Sequence, residues 1–191
     1  MCAIVDVNSH FFSKLPEIFD KNNYFLDHKT VIMSINTKIR AVRSEDLPAL
    51  KTAIAANDLF PAEMLDDMMS DYFDNPDSQD IWFTYEQDKP IAIGYCAPEK
   101  MTEGTWNLYL IAVHPKYQGK GYGTSMMNYI EQLLADQGER ILLVETSGLD
   151  GFEKTRSFYR RCGYEEEAKI RDFYQAGEDK IVFRKSLIGL K

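Results

Sequence analysis

The stretch "VHPKYQGKGYGTSMM", from Val113 to Met127, decides how the rest of this sequence is interpreted. It sets three glycines and two lysines directly before an apolar run with helical spacing. Glycines let the backbone approach a ligand closely, and the first turn of a helix offers unpaired N–H groups at the positive end of its dipole. The combination predicts a loop that binds a phosphate or pyrophosphate. Lys116 and Lys120 add positive charge at its rim.

Two familiar phosphate loops are excluded. A Walker loop ends in Gly-Lys-Ser/Thr, and no lysine follows the last glycine of this stretch, Gly123. A dinucleotide fingerprint needs GxGxxG after the first strand of a βαβ unit, whereas the spacing here is GxGxG, late in the chain. On the glycines alone, a turn that merely opens a helix is as good an interpretation as a ligand site.

Composition narrows the class of protein. The 191 residues, 45% hydrophobic and 27% charged, are typical of one soluble globular domain. The formal net charge of -8 argues against nucleic acid as the main partner. The sequence shows neither a membrane-length apolar run nor an apolar signal core at its start. The three cysteines form no CxxC pair, which fits a reducing compartment and no metal site. We therefore expect a cytoplasmic protein with no membrane partner.

The chain is expected to hold two regions. Residues 1–36 show no clean periodicity and are interpreted as an N-terminal extension, and residues 37–191 as the functional domain. From "TKIRAVR" onward the predicted order is β α α β β β α β α β β. Ser44 is predicted to cap the first helix with acids in its first turn, and Pro61 to start the second helix. Further along, a helix from Tyr122 to Gln137 is predicted to end at Gly138.

The glycine stretch resembles a known family signature. Gln118-x-x-Gly121-x-Gly123 is similar to the Q/R-x-x-G-x-G/A motif of the GNAT superfamily of acyl-CoA-dependent N-acyltransferases. The resemblance covers roughly residues 38–187, including "AVHP", the long helix and "FYRRCGY". It implies an α/β (α+β) fold, a mixed and mostly antiparallel sheet flanked by helices, with splayed strands at the cofactor site. It also implies a coenzyme A pyrophosphate bound to the N–H groups of Gln118, Gly119, Lys120, Gly121, Tyr122, Gly123 and Thr124.

The same resemblance places the chemistry between the strands "NLYLIAV" and "LLVETS". Backbone groups of Ile111, Ala112 and Val113 are expected to hold the pantetheine arm, with the Val113 N–H as oxyanion donor. The implied reaction is acetyl transfer from acetyl-CoA to a primary amine by direct attack, with no metal. A covalent acetyl-cysteine route is disfavoured, because neither Cys96 nor Cys162 has a base nearby in the pattern.

Two residues are predicted to be catalytic. The family often places a tyrosine at the position of Tyr159, where it protonates the departing thiolate as general acid. On pattern alone, Tyr159 lies on the apolar face of its helix and is better interpreted as a core residue. The glycine loop shifts the interpretation to the acid. Many relatives carry a glutamate base where this chain has Asn107, which cannot accept a proton. Glu145 on the facing strand is therefore the predicted base, with a structural role in the strand as the open alternative.

The acceptor is less defined by the sequence. Phe152 stands where relatives often have an asparagine that touches the pantetheine arm. The second helix carries several acids and no Lys or Arg, which either attracts a cationic amine or forms a solvated face. Strand aromatics such as Trp82 and Tyr109 either line the cleft or belong to the core. A small-molecule amine is the expected acceptor, and alternatives are a peptide N-terminus or lysine, or a non-catalytic acyl-CoA sensor. Either a monomer or a homodimer is compatible with this interpretation.

Overall fold

The computed structural model describes residues 38–190, so the extension predicted for residues 1–36 lies outside the described part of the chain. Within it, helices and strands follow the predicted order. The strands are β1 (Ile39–Ala41), β2 (Ile81–Glu86), β3 (Pro90–Pro98), β4 (Thr105–Val113), β5 (Ile141–Ser147), β6 (Glu165–Gln175) and β7 (Glu178–Ser186). The helices are α1 (Leu47–Ala56), α2 (Met64–Asp74), α3 (Tyr122–Asp136) and α4 (Glu153–Arg161).

All strands join one seven-stranded sheet in the order β1-β2-β3-β4-β5-β7-β6. Among the strand pairs of residues 38–190, β4 and β5 run parallel and the others antiparallel. A parallel pair needs a crossover connection, which α3 supplies. The predicted fold, a mixed and mostly antiparallel sheet flanked by helices, is therefore confirmed.

The strands β4 and β5 separate half-way along their length. Their ladder runs only from Thr105 opposite Ile141 to Leu108 opposite Val144. At this point β4 also carries a bulge, because consecutive residues of β3, Tyr95 and Cys96, pair with Leu110 and Leu108 and leave one extra residue between. A bulge increases local twist and redirects a strand. The remainder of β4 therefore diverges from β5 and leaves a gap beside it.

Two apolar cores lie on opposite faces of the sheet. One contains the buried face of α3, where apolar residues recur at helical spacing, together with Tyr159 of α4. The other contains Leu50 and Ile54 of α1 and Leu65 and Met69 of α2, packed against the sheet. A fully buried leucine or isoleucine contributes about 1.5–3 kcal/mol to the stability of the fold. These buried residues therefore hold the helices on the faces that flank the gap.

Two predicted helix starts need correction. The Ser44 side chain does not cap α1: residues Ser44–Asp46 form a 3-10 turn, and the carboxylate of Asp46 accepts the Arg43 N–H at 2.8 Å. Asp46 is also paired with Arg40 at 2.7 Å, a partner from β1 that local sequence does not reveal. The second helix begins at Met64 instead of Pro61, after a turn in which the Met64 N–H donates to the Pro61 oxygen. The predicted end of α3 is confirmed by Gly138, with φ of +82°.

Candidate active site

The loop between β4 and α3 is held in place by the side chain of Gln118. Its amide nitrogen donates to the Val113 oxygen and to Oδ1 of Asn57, both at 3.0 Å. Asn57, at the end of α1, donates to the same Val113 oxygen at 3.1 Å. Two side chains from separate parts of the chain thus share one backbone acceptor at the end of β4. The loop therefore leaves the strand along a defined path.

The three glycines of this loop serve two different purposes. Gly119 and Gly121 have φ of +74° and +85°, a region that strongly favours glycine. Gly123 lies in the first turn of α3, where an added Cβ would lie 3.4 Å from the ring of Phe158 on α4. The first two glycines therefore shape the loop, and the third permits close packing of α3 against α4.

The start of α3 presents unpaired N–H groups to the outside of the loop. The helix begins with the Ser125 N–H donating to the Gly121 oxygen at 3.0 Å. The N–H groups of Tyr122, Gly123 and Thr124 precede that bond and find no acceptor within the helix. The positive end of the helix dipole lies at the same place, and the side chains of Lys116 and Lys120 are exposed nearby. This arrangement suits a phosphate group.

The backbone of β4 faces the gap at alternate residues. The His114 N–H donates to the Ile91 oxygen at 2.9 Å, which closes the antiparallel pair of β3 and β4. Hydrogen bonding alternates along such a pair, so the N–H groups of Ile111 and Val113 point away from β3, toward β5. Ala112 lies between them and places its methyl group in the core beneath α1 and α2. Ile111 and Val113 thus offer polar backbone groups where β5 has moved away.

Tyr159 lies deep in the protein, with 1% of its surface exposed. Its ring packs 5.7 Å from that of Phe183 on β7 and 6.1 Å from that of Tyr164. It belongs to the same core as Leu108 and Val144, the last paired residues of β4 and β5. Tyr159 can therefore be both a core residue and the predicted general acid, because this core extends to the point where β4 and β5 separate.

Glu145 follows Val144, the last residue of β5 that pairs with β4, and it has an ion partner. Its carboxylate lies 2.9 Å from Nζ of Lys180 on β7, which is opposite Ser147 in the sheet. The Lys180 ammonium also lies 3.8 Å from the ring centroid of Phe173 on β6. The carboxylate is thus at the mouth of the gap, and a fixed cation stands beside it.

A second carboxylate near the gap, Glu99, was missed in the sequence. Its Oε1 accepts the side-chain N–H of Asn107 at 2.9 Å and the hydroxyl of Tyr109 at 3.1 Å. Burial, together with the carboxylates of Glu99 and Glu145, raises the pKa of Tyr109, so the phenol stays protonated and donates. One sequence signal could have indicated that Glu99 lies near β4: it follows β3 at the end of a hairpin whose second strand begins at Thr105. The hairpin alone does not reveal the register.

Aromatic rings continue from this carboxylate across the sheet. The Tyr95 ring lies 5.6 Å from that of Tyr109 and is stacked at 4.2 Å on that of Trp82. Trp82 is buried, whereas Tyr95 and Tyr109 are half-buried. Of the aromatic residues considered for the cleft, Trp82 thus belongs to the core and Tyr109 reaches its surface. Burial raises the pKa of Asp80, next to Tyr95, although the hydrogen bond from that phenol opposes the rise.

The acids of α2 are mostly exposed. Asp66 pairs with Lys51 of α1 at 2.5 Å, and the Asp71 carboxylate accepts the side-chain N–H of Asn75 at 2.9 Å. Leu65 and Met69 form the buried face of the same helix. The solvated-face interpretation therefore accounts for most of this acidic run.

Three other features bear on the chemistry. Cys96 is fully buried, and burial raises the pKa of its thiol well above the usual value, which disfavours a thiolate nucleophile. Among residues 38–190, His, Cys, Asp and Glu side chains form no group of three that could hold a metal ion. In the same part of the chain, no helix has the length and apolar character that a membrane crossing requires.

Comparison with known proteins agrees with this geometry. A family model described as an acetyltransferase (GNAT) domain matches residues 77–166, which include β3, β4, the loop and Tyr159. The chain is 34% identical over 83 residues to an uncharacterized ycf52-like N-acetyltransferase of Prochlorococcus marinus. That match covers 42% of this chain and 42% of the relative, so it spans less than half of the relative's length.

Solved structures share the fold. A protein from Desulfovibrio desulfuricans, described as an acetyltransferase of the GNAT family, is 28% identical with a TM-score of 0.73, covering 78% of this chain and 98% of that one. A spermidine N-acetyltransferase from Vibrio cholerae, in complex with CoA and spermine, has a TM-score of 0.65 over 80% of this chain and 97% of its own. At 15% identity, this second likeness shows the fold alone.

Proposed function

Because this chain carries a GNAT acetyltransferase domain, we propose that it moves an acetyl group from acetyl-CoA to a primary amine by direct attack. The proposed acceptor is a small molecule. One observation carries the proposal: a loop with outward N–H groups lies directly beside a gap where two paired strands part. The loop suits the phosphates of the donor, and the gap suits its extended arm.

In this proposal, acetyl-CoA is held mainly by backbone. The N–H groups of residues 118–124 bind the pyrophosphate, and Lys116 and Lys120 add charge near it. The backbone of residues 111–113 binds the pantetheine arm, in the manner of an added strand. Aliphatic side chains of β4 stay in the cores, which is compatible with this role because backbone groups make the contacts.

The amine must lose a proton before it can attack. A reference amine pKa near ~10 leaves about one molecule in a thousand neutral at pH 7, so a carboxylate beside the gap takes that proton. The nitrogen then attacks the thioester carbon, and the Val113 N–H stabilises the oxyanion by about 3 kcal/mol. The C–S bond breaks, and the sulfur takes the proton of the Tyr159 hydroxyl, which solvent restores.

The surroundings of the gap support a cationic acceptor. Glu145 lies on β5, which borders the gap, and Glu99 follows β3 and contacts Tyr109 of β4, the other bordering strand. Asp80 lies beside Tyr95 in the same row of aromatic rings. Carboxylates next to half-buried tyrosines attract an ammonium group both by charge and through the ring faces. A folded peptide docking module is not needed for such an acceptor, which favours a small amine.

The decisive experiment is release of free thiol from acetyl-CoA in the presence of spermidine, lysine, glucosamine and an alanyl tripeptide. Wild-type protein and the Tyr159→Phe variant are compared, and acetyl-CoA binding is measured for both by calorimetry. Release stimulated by a small amine and reduced in the variant is the expected result. Thiol release with the tripeptide and with none of the small amines would indicate a peptide acceptor. Acetyl-CoA binding without release would favour a sensor, and absence of binding would reject the proposal.

A further inference from the structure

Asn107 is a buried residue whose side-chain amide makes only part of its possible hydrogen bonds. It is 1% exposed, and its side-chain nitrogen donates to Glu99. Among the described residues, its Oδ1 has no hydrogen-bond partner. A flipped amide would set that oxygen against a carboxylate, so the orientation is fixed by chemistry. A buried acceptor without a donor costs free energy comparable to a lost hydrogen bond, which points to a donor that arrives with a ligand.

The carboxylate of Glu99 also accepts fewer hydrogen bonds than it can. Both of its hydrogen bonds within residues 38–190 fall on Oε1, from Asn107 and Tyr109. No lysine or arginine nitrogen of the described residues lies within salt-bridge distance of it, in contrast to Glu145, which has Lys180 at 2.9 Å. An ammonium group would supply the donors that Asn107 Oδ1 and Glu99 Oε2 lack.

The position of this pair matches the proposed chemistry. Asn107 pairs with Leu143 of β5 one residue before the parallel ladder ends, and Tyr109 lies at the bulge that follows. The two donors that orient Glu99 thus come from the segment of β4 where the gap opens. We infer that Glu99 is the catalytic base of this protein, delivered from β3, and that Asn107 is the positioning residue that orients it.

An ammonium N–H donates its proton to Glu99, which gives a neutral amine and a protonated carboxyl. The amine then attacks the thioester, the new C–N bond forms, and the nitrogen releases its second proton toward solvent. The thiolate leaves and is protonated by Tyr159, which recovers its proton from solvent, and Glu99 returns its proton to solvent. The net products are the acetamide, coenzyme A thiol and one proton.

Other charged groups border the same space. The phenol of Tyr109 contacts Glu99, and the Tyr95 ring lies 5.6 Å from that of Tyr109; burial raises the pKa of both phenols above the usual value. Asp80 lies beyond Tyr95, and the ion pair of Glu145 with Lys180 lies across the gap. Because the phenols stay neutral and Glu145 has a fixed cation, Glu99 is the carboxylate best placed to accept the substrate proton.

The inference rests on the proposed function, and the test separates the two. The variants are Glu99→Gln and Glu145→Gln, with Glu103→Gln as the control, because Glu103 is an exposed glutamate on the adjacent turn. Glutamine at 99 retains an acceptor for Asn107 and Tyr109 but cannot take a proton. Thiol release is followed from pH 6 to 9 with spermidine, lysine, glucosamine and an alanyl tripeptide, together with acetyl-CoA affinity and thermal unfolding.

We expect Glu99→Gln to lower kcat/KM by about 10²–10⁴-fold, with acetyl-CoA affinity and the unfolding temperature unchanged. Glu99→Asp should recover part of the rate, and Glu103→Gln should match wild type. A Glu99→Gln variant as fast as wild type, or a loss confined to Glu145→Gln, would overturn the inference and leave the proposed function intact. A wild-type protein that acetylates none of the probes would reject both.

Discussion

The amide of Gln118 and the side-chain oxygen of Asn57 are joined by a hydrogen bond of 3.0 Å across 61 residues of sequence. The bond ties the loop before α3 to the end of α1, and both residues also contact the Val113 oxygen. Helix α1 therefore takes part in shaping the proposed phosphate site, although it supplies none of the loop's own backbone.

Replacing Gln118 by Ala removes two hydrogen bonds from the loop. Each is worth about 1 kcal/mol, and the loop loses its fixed path. We expect the Kd for acetyl-CoA to rise by about tenfold, which corresponds to about 1.4 kcal/mol, as measured by titration calorimetry. Gln132→Ala serves as the matched control, because Gln132 is a half-buried glutamine on α3 that bonds Asp136 and lies outside the loop. Equal affinities for the two variants would contradict the anchoring role.

Gly121→Ala separates backbone strain from ligand binding. Gly121 and Gly177 have nearly the same φ, +85° and +82°, and an added Cβ would lie in open space at both. Alanine at either position should cost about 1–2 kcal/mol of unfolding free energy, because L-residues disfavour this region. Only Gly121→Ala should also weaken acetyl-CoA binding. A loss of affinity in both variants would show that strain alone reduces binding.

Tyr159→Phe tests the proposed acid. The ring packing against Phe183 and Tyr164 is preserved in phenylalanine, so the acetyl-CoA Kd should stay within twofold. The proton donor is lost, and kcat should fall by about 10²–10⁴-fold. Steady-state kinetics with a saturating amine gives kcat, and thermal unfolding checks the fold. An unchanged kcat would contradict the proposed acid and indicate that Tyr159 has only a structural role.

The pairing of Arg40 with Asp46 should make stability depend on pH. Burial alone would raise the pKa of Asp46, but the hydrogen bonds from Arg40 and the Arg43 N–H outweigh it and lower the pKa below 3.8. The unfolded chain therefore binds more protons in this range, so stability rises with pH there. The contribution is present above about pH 3.8 and is lost as the pH falls through the folded-state value.

Urea unfolding between pH 2.5 and 7 measures this contribution in wild type and Asp46→Asn. Asparagine removes a charge-assisted hydrogen bond to Arg40, so the variant should be less stable by about 2 kcal/mol at pH 7. The difference should shrink as the pH falls below 3.8. A difference that stays constant down to the lowest pH would exclude the ionised carboxylate as its cause.

Much of the fold was predictable because its signals are local. Alternation predicted the strands, and helical spacing predicted α3 and α4. The two wrong predictions, a Ser44 cap on α1 and a start of α2 at Pro61, concern only the first residues of those helices. Asp46 displaced Ser44 as the capping group because Arg40 from β1 holds its carboxylate at 2.7 Å, and such a partner does not show in a window of a few residues.

The sequence by itself determined the glycine spacing and the helix start of the proposed phosphate loop, because these parts are contiguous, whereas the anchor from Asn57 came from the tertiary structure. The glycines, Gln118 and the start of α3 lie within a few residues, so their spacing carries the geometry. The choice of proton acceptor was decided by tertiary structure alone. Glu99 reaches Asn107 because β3 and β4 pair with a bulge at this point, and Glu145 meets Lys180 through β7. Register and bulges follow from how whole strands pack against both cores, so local sequence does not specify which carboxylate keeps a free oxygen beside the gap.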